Sequence, residues 1–327
     1  MALTAAELKV SELSSRIERL PVTSWQAKLV IFIGVATFFD AFDAMAIAFA
    51  LPALIGTWHI RPQQIGLLIS AGYVGQLCGA FLFGWMADKI GRLHTLIWTI
   101  LVFGLLSIGC ASSWSYASLL VFRLLQGVGL GGEIPIASCY VNEIVQAKVR
   151  GKLFLLCQMS FPIGMMVTSI VAYWLVVHLG WRWLFLLGGV PALLTILLRW
   201  GLPESPRWYA GVGRIADAEK AMDRIEKSVR KAFGAELPAP EPLAAPEIAE
   251  KRASLVDLFR GIYLKRTFVL WFVFFATYLA NYSIAVWLPT IYKTIYHVPT
   301  DKALLYSTVI FIVGLGSTVS AASRADA

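Results

Sequence analysis

Four ionisable residues stand where such residues are expensive. Asp40 and Asp43 interrupt the otherwise apolar run Leu29 to Ile55, and Arg123 and Glu133 interrupt another at 118–141. A run of ~20 apolar residues is long enough to span a bilayer. A charge at that depth is costly unless it is paired, protonated or facing water, and a plain membrane anchor needs none. Asp40 and Asp43 are three residues apart and share one helix face. At 1.5 Å per residue Asp43 lies ~21 Å into its run, and Arg123 lies ~8 Å into a run of the opposite direction. In a core ~30 Å thick the two are level, with Asp40 one turn deeper and Glu133 deeper still. The chemistry this suggests is a switch. A proton or an anionic solute breaks an Asp43–Arg123 pair, and Asp40 or Glu133 takes part in carrying the proton. A permanent structural ion pair, or an Arg123 that snorkels to the nearby surface, are the competing readings.

These residues need a polytopic membrane frame, and the composition supplies one. The chain of 327 residues is 58% hydrophobic and 15% charged, with a mean hydropathy of +0.70; soluble domains carry roughly 25% charged residues. The 28 basic against 20 acidic residues alternate with apolar runs, which is a topology signal and not a nucleic-acid one. Cys78, Cys110, Cys139 and Cys157 all lie in apolar runs and read as free, buried thiols. His59, His94, His178 and His297 read as residues of separate short loops, so neither they nor the cysteines suggest a metal site. There is no phosphate-binding loop of the G-x-x-x-x-G-K-[ST] type and no nucleophile–base constellation. The expectation is no enzyme, no cofactor beyond a proton gradient, and as partners a lipid bilayer and a small-molecule substrate. The oligomeric state is left open.

Eight spans are expected, at about 29–55, 65–87, 95–112, 118–141, 153–177, 184–202, 267–291 and 303–322. Lys and Arg concentrate before span one, after spans two and four, and between spans six and seven. The positive-inside rule then places the N-terminus in the cytoplasm of a multi-pass plasma-membrane protein. The organisation expected is a cytosolic amphipathic segment (1–27), a six-span bundle (28–202), a cytosolic central segment (203–266) and spans seven and eight (267–327). Within the central segment 213–233 reads as a charged amphipathic helix, 235–250 as a Pro/Ala/Glu linker, and 254–263 as an interfacial helix. Ala36-Thr37-Phe38 with Phe42 resembles Ala276-Thr277-Tyr278 with Tyr282, a weak hint of repetition.

Motifs narrow the reading. Gly84-Trp-Met-Ala-Asp88-Lys89-Ile-Gly91-Arg92 follows span two. In it Gly84 would permit close helix approach, Gly91 a tight turn, and Asp88 would receive charge-assisted bonds. Arg123-x-x-Gln126-Gly127-x-Gly129-x-Gly131-Gly132-Glu133-x-Pro135 lies in span four. Glu143 with Arg150, and Pro203-Glu204-Ser205-Pro206-Arg207-Trp208, follow spans four and six. Together Gly84, Asp88, Arg92, Glu143, Arg150, Glu204 and Arg207 could form a cytosolic gate of salt bridges that closes the two halves on the inside. A solvated rim is the alternative.

These motifs resemble those of the major facilitator superfamily. Leu93 and His94 depart from the basic residues common after the first motif. With Arg19-Leu20-Pro21, Phe39-Asp40-Ala41-Phe42-Asp43 and Gly180-Trp181-Arg182-Trp183, the chain is similar to niacin-transporter-like metabolite:H⁺ symporters, and in its first span to aromatic-acid:H⁺ symporters. The resemblance implies an all-α major facilitator fold with a complete N-terminal six-helix bundle and the first two helices of the C-terminal bundle. It implies alternating access, with a substrate site at the midplane. Tyr73, Gln76, Gln126, Gln158, Tyr278, Asn281 and Tyr282 are the candidates for that site, although each could equally serve helix packing. Trp287, Trp181 and Trp183 read as interfacial anchors. The function expected is proton-coupled transport of a small organic acid, such as an aromatic or pyridine carboxylate. The alternatives are a sugar or other polar metabolite porter, and, because the superfamily plan has twelve spans, a truncated, inert or partner-dependent fragment.

Overall fold

The computed structural model describes the backbone of residues 5–240 and 255–325, with side chains placed for all of these except 5–10, 255, 281, 315 and 317–325. Among the described residues all regular structure is helical. In chain order it comprises α1 (Ala5–Glu18), α2 (Ser24–Trp58), α3 (Pro62–Ile90), α4 (Arg92–Ala111), α5 (Tyr116–Ile144), α6 (Ala147–Gln158) and α7 (Ser160–His178). There follow α8 (Arg182–Gly188), α9 (Pro191–Gly201), α10 (Pro206–Gly211), α11 (Ile215–Phe233), a 3₁₀ turn (Leu255–Phe259), α12 (Gly261–Thr294) and α13 (Thr300–Ala325). Seven stretches are long and apolar enough to cross a membrane: α2, α3, α4, α5, α6 with α7, α8 with α9, and α12. Helix α13 occupies the eighth expected position. The all-α polytopic fold anticipated from the sequence is the fold observed.

Local chemistry sets the helix ends. Thr23 caps α2 in a reciprocal box with Gln26, whose side-chain oxygen accepts from the Thr23 amide at 2.8 Å. Pro62 and Pro191 open α3 and α9, where a missing N–H costs nothing. Two spans expected to be continuous are interrupted. The fifth breaks at Met159, because Pro162 lacks the N–H that would extend α6 into α7, and the sixth breaks at Gly189-Val190 ahead of Pro191.

Helices α3 and α5 pack closely through small residues, as do α4 with α5 and α2 with α7. A Cβ at Gly131 would strike the backbone carbonyl of Gln76, and one at Gly127 that of Gly72, so these glycines set the α3–α5 distance. Gly84 does not behave this way. It is only partly buried on α3, and a Cβ there would meet no neighbour within 4 Å. Two apolar clusters fill the bundle. One, with Leu29, Ile33, Tyr140 and Leu198, lies toward the face carrying α1 and α11; the other, with Phe49, Leu51, Trp181 and Phe185, lies toward the opposite end. The membrane-embedded charges lie in the polar layer between them.

Several local expectations are corrected. Trp181 is no interfacial anchor but core, edge-on to Trp58 and Phe185, while Trp183 is exposed. The thiols are free, but Cys78 is exposed and Cys139 only partly covered. His94 belongs to the first turn of α4 and His178 ends α7; neither is a loop residue. The amphipathic segment before span one is helix α1, and 213–233 is helix α11 from Ile215. Most of the expected linker, 241–250, lies outside the described residues.

Candidate functional site

Helix α2 carries Thr37, Asp40 and Asp43 on one buried face, and α5 carries Arg123, Gln126 and Glu133 on another. Glu133 Oε1 accepts from Thr37 Oγ1 at 3.1 Å, while its second oxygen is buried with no hydrogen-bond partner. Asp40 lies one turn from Thr37 on the same helix and is buried. Asp43 Oδ1 accepts from Ser107 Oγ of α4 at 2.7 Å, and its Oδ2 is likewise buried and unpartnered. The same Ser107 hydroxyl stands 2.8 Å from the Phe185 carbonyl. One hydroxyl has one proton, so it donates to one of these acceptors at a time.

Arg123 comes beside Asp43, as the depth argument required, but the contact differs from the expected ion pair. Its Nη1 donates to Gln126 Oε1 at 2.7 Å and to the Asp43 main-chain oxygen at 3.4 Å. Gln126, three residues along the same helix, outcompetes the carboxylate, which Ser107 holds. Gln126 thus positions Arg123.

A cavity of about 940 Å³ opens between α2, α3, α5, α7 and α12. Asp40, Tyr73, Gln76, Tyr278 and Tyr282 line it, and among the described residues Asp40 is the one charged residue in its wall. The aromatic side is ordered: Tyr278 and Tyr282 stack with centroids 5.4 Å apart, and Tyr73 meets Tyr282 edge-on at 6.1 Å. A void of about 10 Å³ reaches Arg123 behind Tyr73 and Gln76, about the volume one water needs. Gln158 ends α6 outside the cavity wall, and the side chain of Asn281 lies outside the described residues.

At the face carrying α1 and α11 the gate residues do assemble. Arg92 bridges Asp88 at 2.7 Å and Glu143 at 3.0 Å. Arg207 and Arg150 approach Glu18 of α1 at 3.4 and 3.8 Å, and Glu18 Oε2 accepts from the Ala147 amide at 2.8 Å. Glu204 caps α4: its oxygens accept from the amides of Arg92, Leu93 and His94 at 2.9, 2.9 and 3.1 Å, and lie 2.7 Å from His94 Nδ1. Gly91, at φ 107°, provides the turn, and a Cβ there would meet the Glu204 carboxyl. Among the described residues this network draws its partners from α1, α3, α4, α5, α6 and the link from Glu204 into α10, and none from α12 or α13.

Sequence reasoning missed Thr37, Ser107 and Glu18. Thr37 was legible as the residue one turn before Asp40. Ser107 and Glu18 meet their partners only through the tertiary fold.

Residues 33–325 match the Major Facilitator Superfamily. The chain belongs to that superfamily. It is 33% identical over 281 residues to the niacin transporter NiaP of Acinetobacter baylyi, covering 86% of this chain and 63% of that one. With the 4-hydroxybenzoate transporter PcaK of the same organism it shares 32% over 280 residues, 85% of this chain and 60% of that one. With the putative metabolite transport protein YyaJ of Bacillus subtilis it shares 32% over 318 residues, 95% and 70%. The chain therefore spans between three fifths and seven tenths of these relatives. Among solved structures, the partially occluded inward-open xylose transporter XylE from E. coli superposes with a TM-score of 0.70 at 19% identity, over 92% of this chain and 73% of that one. This superfamily protein is thus a multi-pass membrane protein of transporter fold, with a cavity at the junction of its first six spans and α12.

Proposed function

We propose that the protein is a proton-coupled secondary transporter of small aromatic acids, pyridine carboxylates included, working by alternating access in the plasma membrane with its N-terminus in the cytoplasm. The observation that carries this reading is a buried carboxyl, Asp40, in the wall of an aromatic-lined cavity, with the half-satisfied carboxyls of Asp43 and Glu133 on two of the helices that form that wall. Asp40 borders the cavity one turn from Thr37, which bonds Glu133; like charges in one site oppose each other's ionisation, so a proton on either relieves the other. Ser107 fits both states of Asp43. It donates to the carboxylate when Asp43 is ionised; when Asp43 is protonated, the acid donates to Ser107 and Ser107 to Phe185 O. Tyr73, Tyr278 and Tyr282 offer ring faces and edges to a planar substrate. Arg123, held by Gln126 behind Tyr73, supplies the positive field for a substrate carboxylate. The names of NiaP and PcaK support the substrate class, and the basic loops support the orientation. On this reading the gate network stabilises the first bundle on its cytosolic side.

The test is uptake by the purified chain in vesicles with an imposed pH gradient, using labelled nicotinate, 4-hydroxybenzoate and xylose. Gradient-driven accumulation of an aromatic acid, abolished by Asp40→Asn, is the expected result. Accumulation indifferent to the gradient would refute proton coupling, and uptake of xylose alone would refute the substrate class.

A further inference from the structure

Helix α11 sorts its charges by face. Ala218, Met222, Ile225 and Val229 are its buried side. Asp223 and Glu226 turn toward α1, where Arg16 bonds both, Asp223 at 2.6 Å and Glu226 at 2.8 Å, and Arg19 bonds Glu226 at 2.6 Å. The remaining side is basic. Lys220, Arg224, Lys227 and Lys231 follow at i, i+4, i+7 and i+11, a single stripe, and all four are exposed. Among the described residues Lys227 and Lys231 have no acidic partner, and Lys220 only touches Asp217 at 4.0 Å.

The direction of this stripe is fixed by one bond. Arg224 Nη2 donates to the Trp200 carbonyl at 2.6 Å, at the end of span six. Below that point α9 presents Leu193, Ile196 and Leu197 outward, the surface a span shows to lipid tails. Trp200 itself is 74% exposed, where an indole sits at headgroup level. Lys28, also exposed, comes alongside: its Cε lies 3.6 Å from where a Cβ of Gly201 would be, and its Nζ is 5.4 Å from the Phe32 ring centroid. Arg199 is exposed one residue before Trp200. Six cations thus gather around the rim of an apolar, lipid-facing surface, while Asp223 and Glu226 of the same helix are turned toward α1 and paired there.

We propose that the basic stripe of α11, with Lys28 and Arg199, is a binding surface for anionic phospholipid headgroups. The headgroup phosphates neutralise a cluster in which, among the described residues, Lys227 and Lys231 have no acidic partner, and the bound lipid holds α11 against the membrane at the end of span six. This site is independent of the transport reading, since it lies outside the cavity and shares no residue with it.

The test is native mass spectrometry of the detergent-purified full chain titrated with phosphatidylglycerol or phosphatidylcholine. Wild type should retain phosphatidylglycerol preferentially. Lys220→Gln/Lys227→Gln/Lys231→Gln should weaken that binding roughly a hundredfold at low salt, at about fivefold per lysine. Lys293→Gln/Lys302→Gln, in the last turn of α12 and the first turn of α13, should leave it unchanged. Should the triple variant fold poorly, Lys227→Gln alone should show the fivefold loss. Equal retention of both lipids by wild type, or unchanged binding in the α11 variants, would overturn the proposal. So would displacement of the lipid by low-millimolar inorganic phosphate, which would make this a site for soluble anions.

Discussion

Glu204→Gln is the sharpest test of how the membrane-proximal network holds the bundle. The wild-type side chain is 2% exposed and accepts from three amides at the start of α4, from its neighbour Ser205 at 2.9 Å, and meets the His94 ring. A hydrogen bond to a charged group contributes about 1.5–3 kcal/mol, and a carboxylate at a helix start adds up to ~2 kcal/mol. These do not add, and glutamine keeps one acceptor oxygen but turns an NH₂ toward His94. A loss of about 2–4 kcal/mol follows, or roughly 4–8 °C in Tm at about 2 °C per kcal/mol for a long chain. The pH dependence separates charge from packing. Burial pushes the Glu204 carboxyl up, but the bonds from His94 and from the Leu93, Ser205 and His94 amides outweigh it and hold it below the usual glutamate range. A group depressed in the folded state stabilises fully above its unfolded pKa of about 4.3, and that stability is lost as pH falls through the folded value. Circular-dichroism melts of the purified chain should therefore show the full gap between wild type and variant at pH 6, closing below about pH 4. Asp88→Asn, whose side chain is 73% exposed, is the control and should move Tm little. A Glu204→Gln gap under about 1 °C at pH 6, or one as large at pH 3.5, would refute the reasoning.

Three further outcomes are expected. Gly131→Val forces a side chain onto the Gln76 backbone and should cost about 3 kcal/mol or more, read as lost folded yield; a normally folding variant would show that α3 and α5 are not in contact there. Arg16→Ala and Glu226→Ala should be coupled by about 1–2 kcal/mol in a double-mutant cycle of thermal stability, weakening in high salt, and additive effects would dissolve the α1–α11 clasp. Ser107→Ala strips Asp43 of its side-chain partner, a penalty of about 1–3 kcal/mol, and should abolish gradient-driven uptake while Ser107→Thr restores it; normal uptake in Ser107→Ala would remove the hydroxyl from the proton path.

How much of this was legible depends on which coordinate of a helix the sequence encodes. Depth along the axis is fixed by the rise per residue, so Asp43 and Arg123 were placed level and the structure brings them together. Rotation about the axis is not fixed in the same way. A membrane helix is apolar on every side, so hydrophobic periodicity cannot show which face meets protein and which meets lipid. That is why Gly84 and Gly131 looked alike in sequence and only Gly131 packs, and why Trp181 proved to be core. The arginine's choice of Gln126 over Asp43 is a matter of ångströms within one turn, below what residue spacing resolves. The soluble helix α11 was legible throughout, because water imposes a pattern that lipid does not. Glu18 was not, since it meets Arg150 and Arg207 across more than a hundred residues of chain.

The buried carboxylates of this protein differ in how fully they are bonded, and Glu143 of the network beside α1 keeps one buried oxygen without a partner as Asp43 and Glu133 do. Glu204 is given a donor for every accessible lone pair, and Glu226 is clasped by two arginines; such groups are saturated and have no reason to change state. In the middle layer Asp43 and Glu133 each keep one buried oxygen without a partner, Arg123 keeps an idle Nε and Gln126 an idle Nε2, while Asp40 faces the cavity. An unsatisfied buried polar atom costs about 1–3 kcal/mol, and this fold demonstrably has the means to satisfy acids elsewhere. On the proposed reading, the open oxygens of Asp43 and Glu133 take up a proton and the Arg123 guanidinium takes a substrate carboxylate in the course of the cycle.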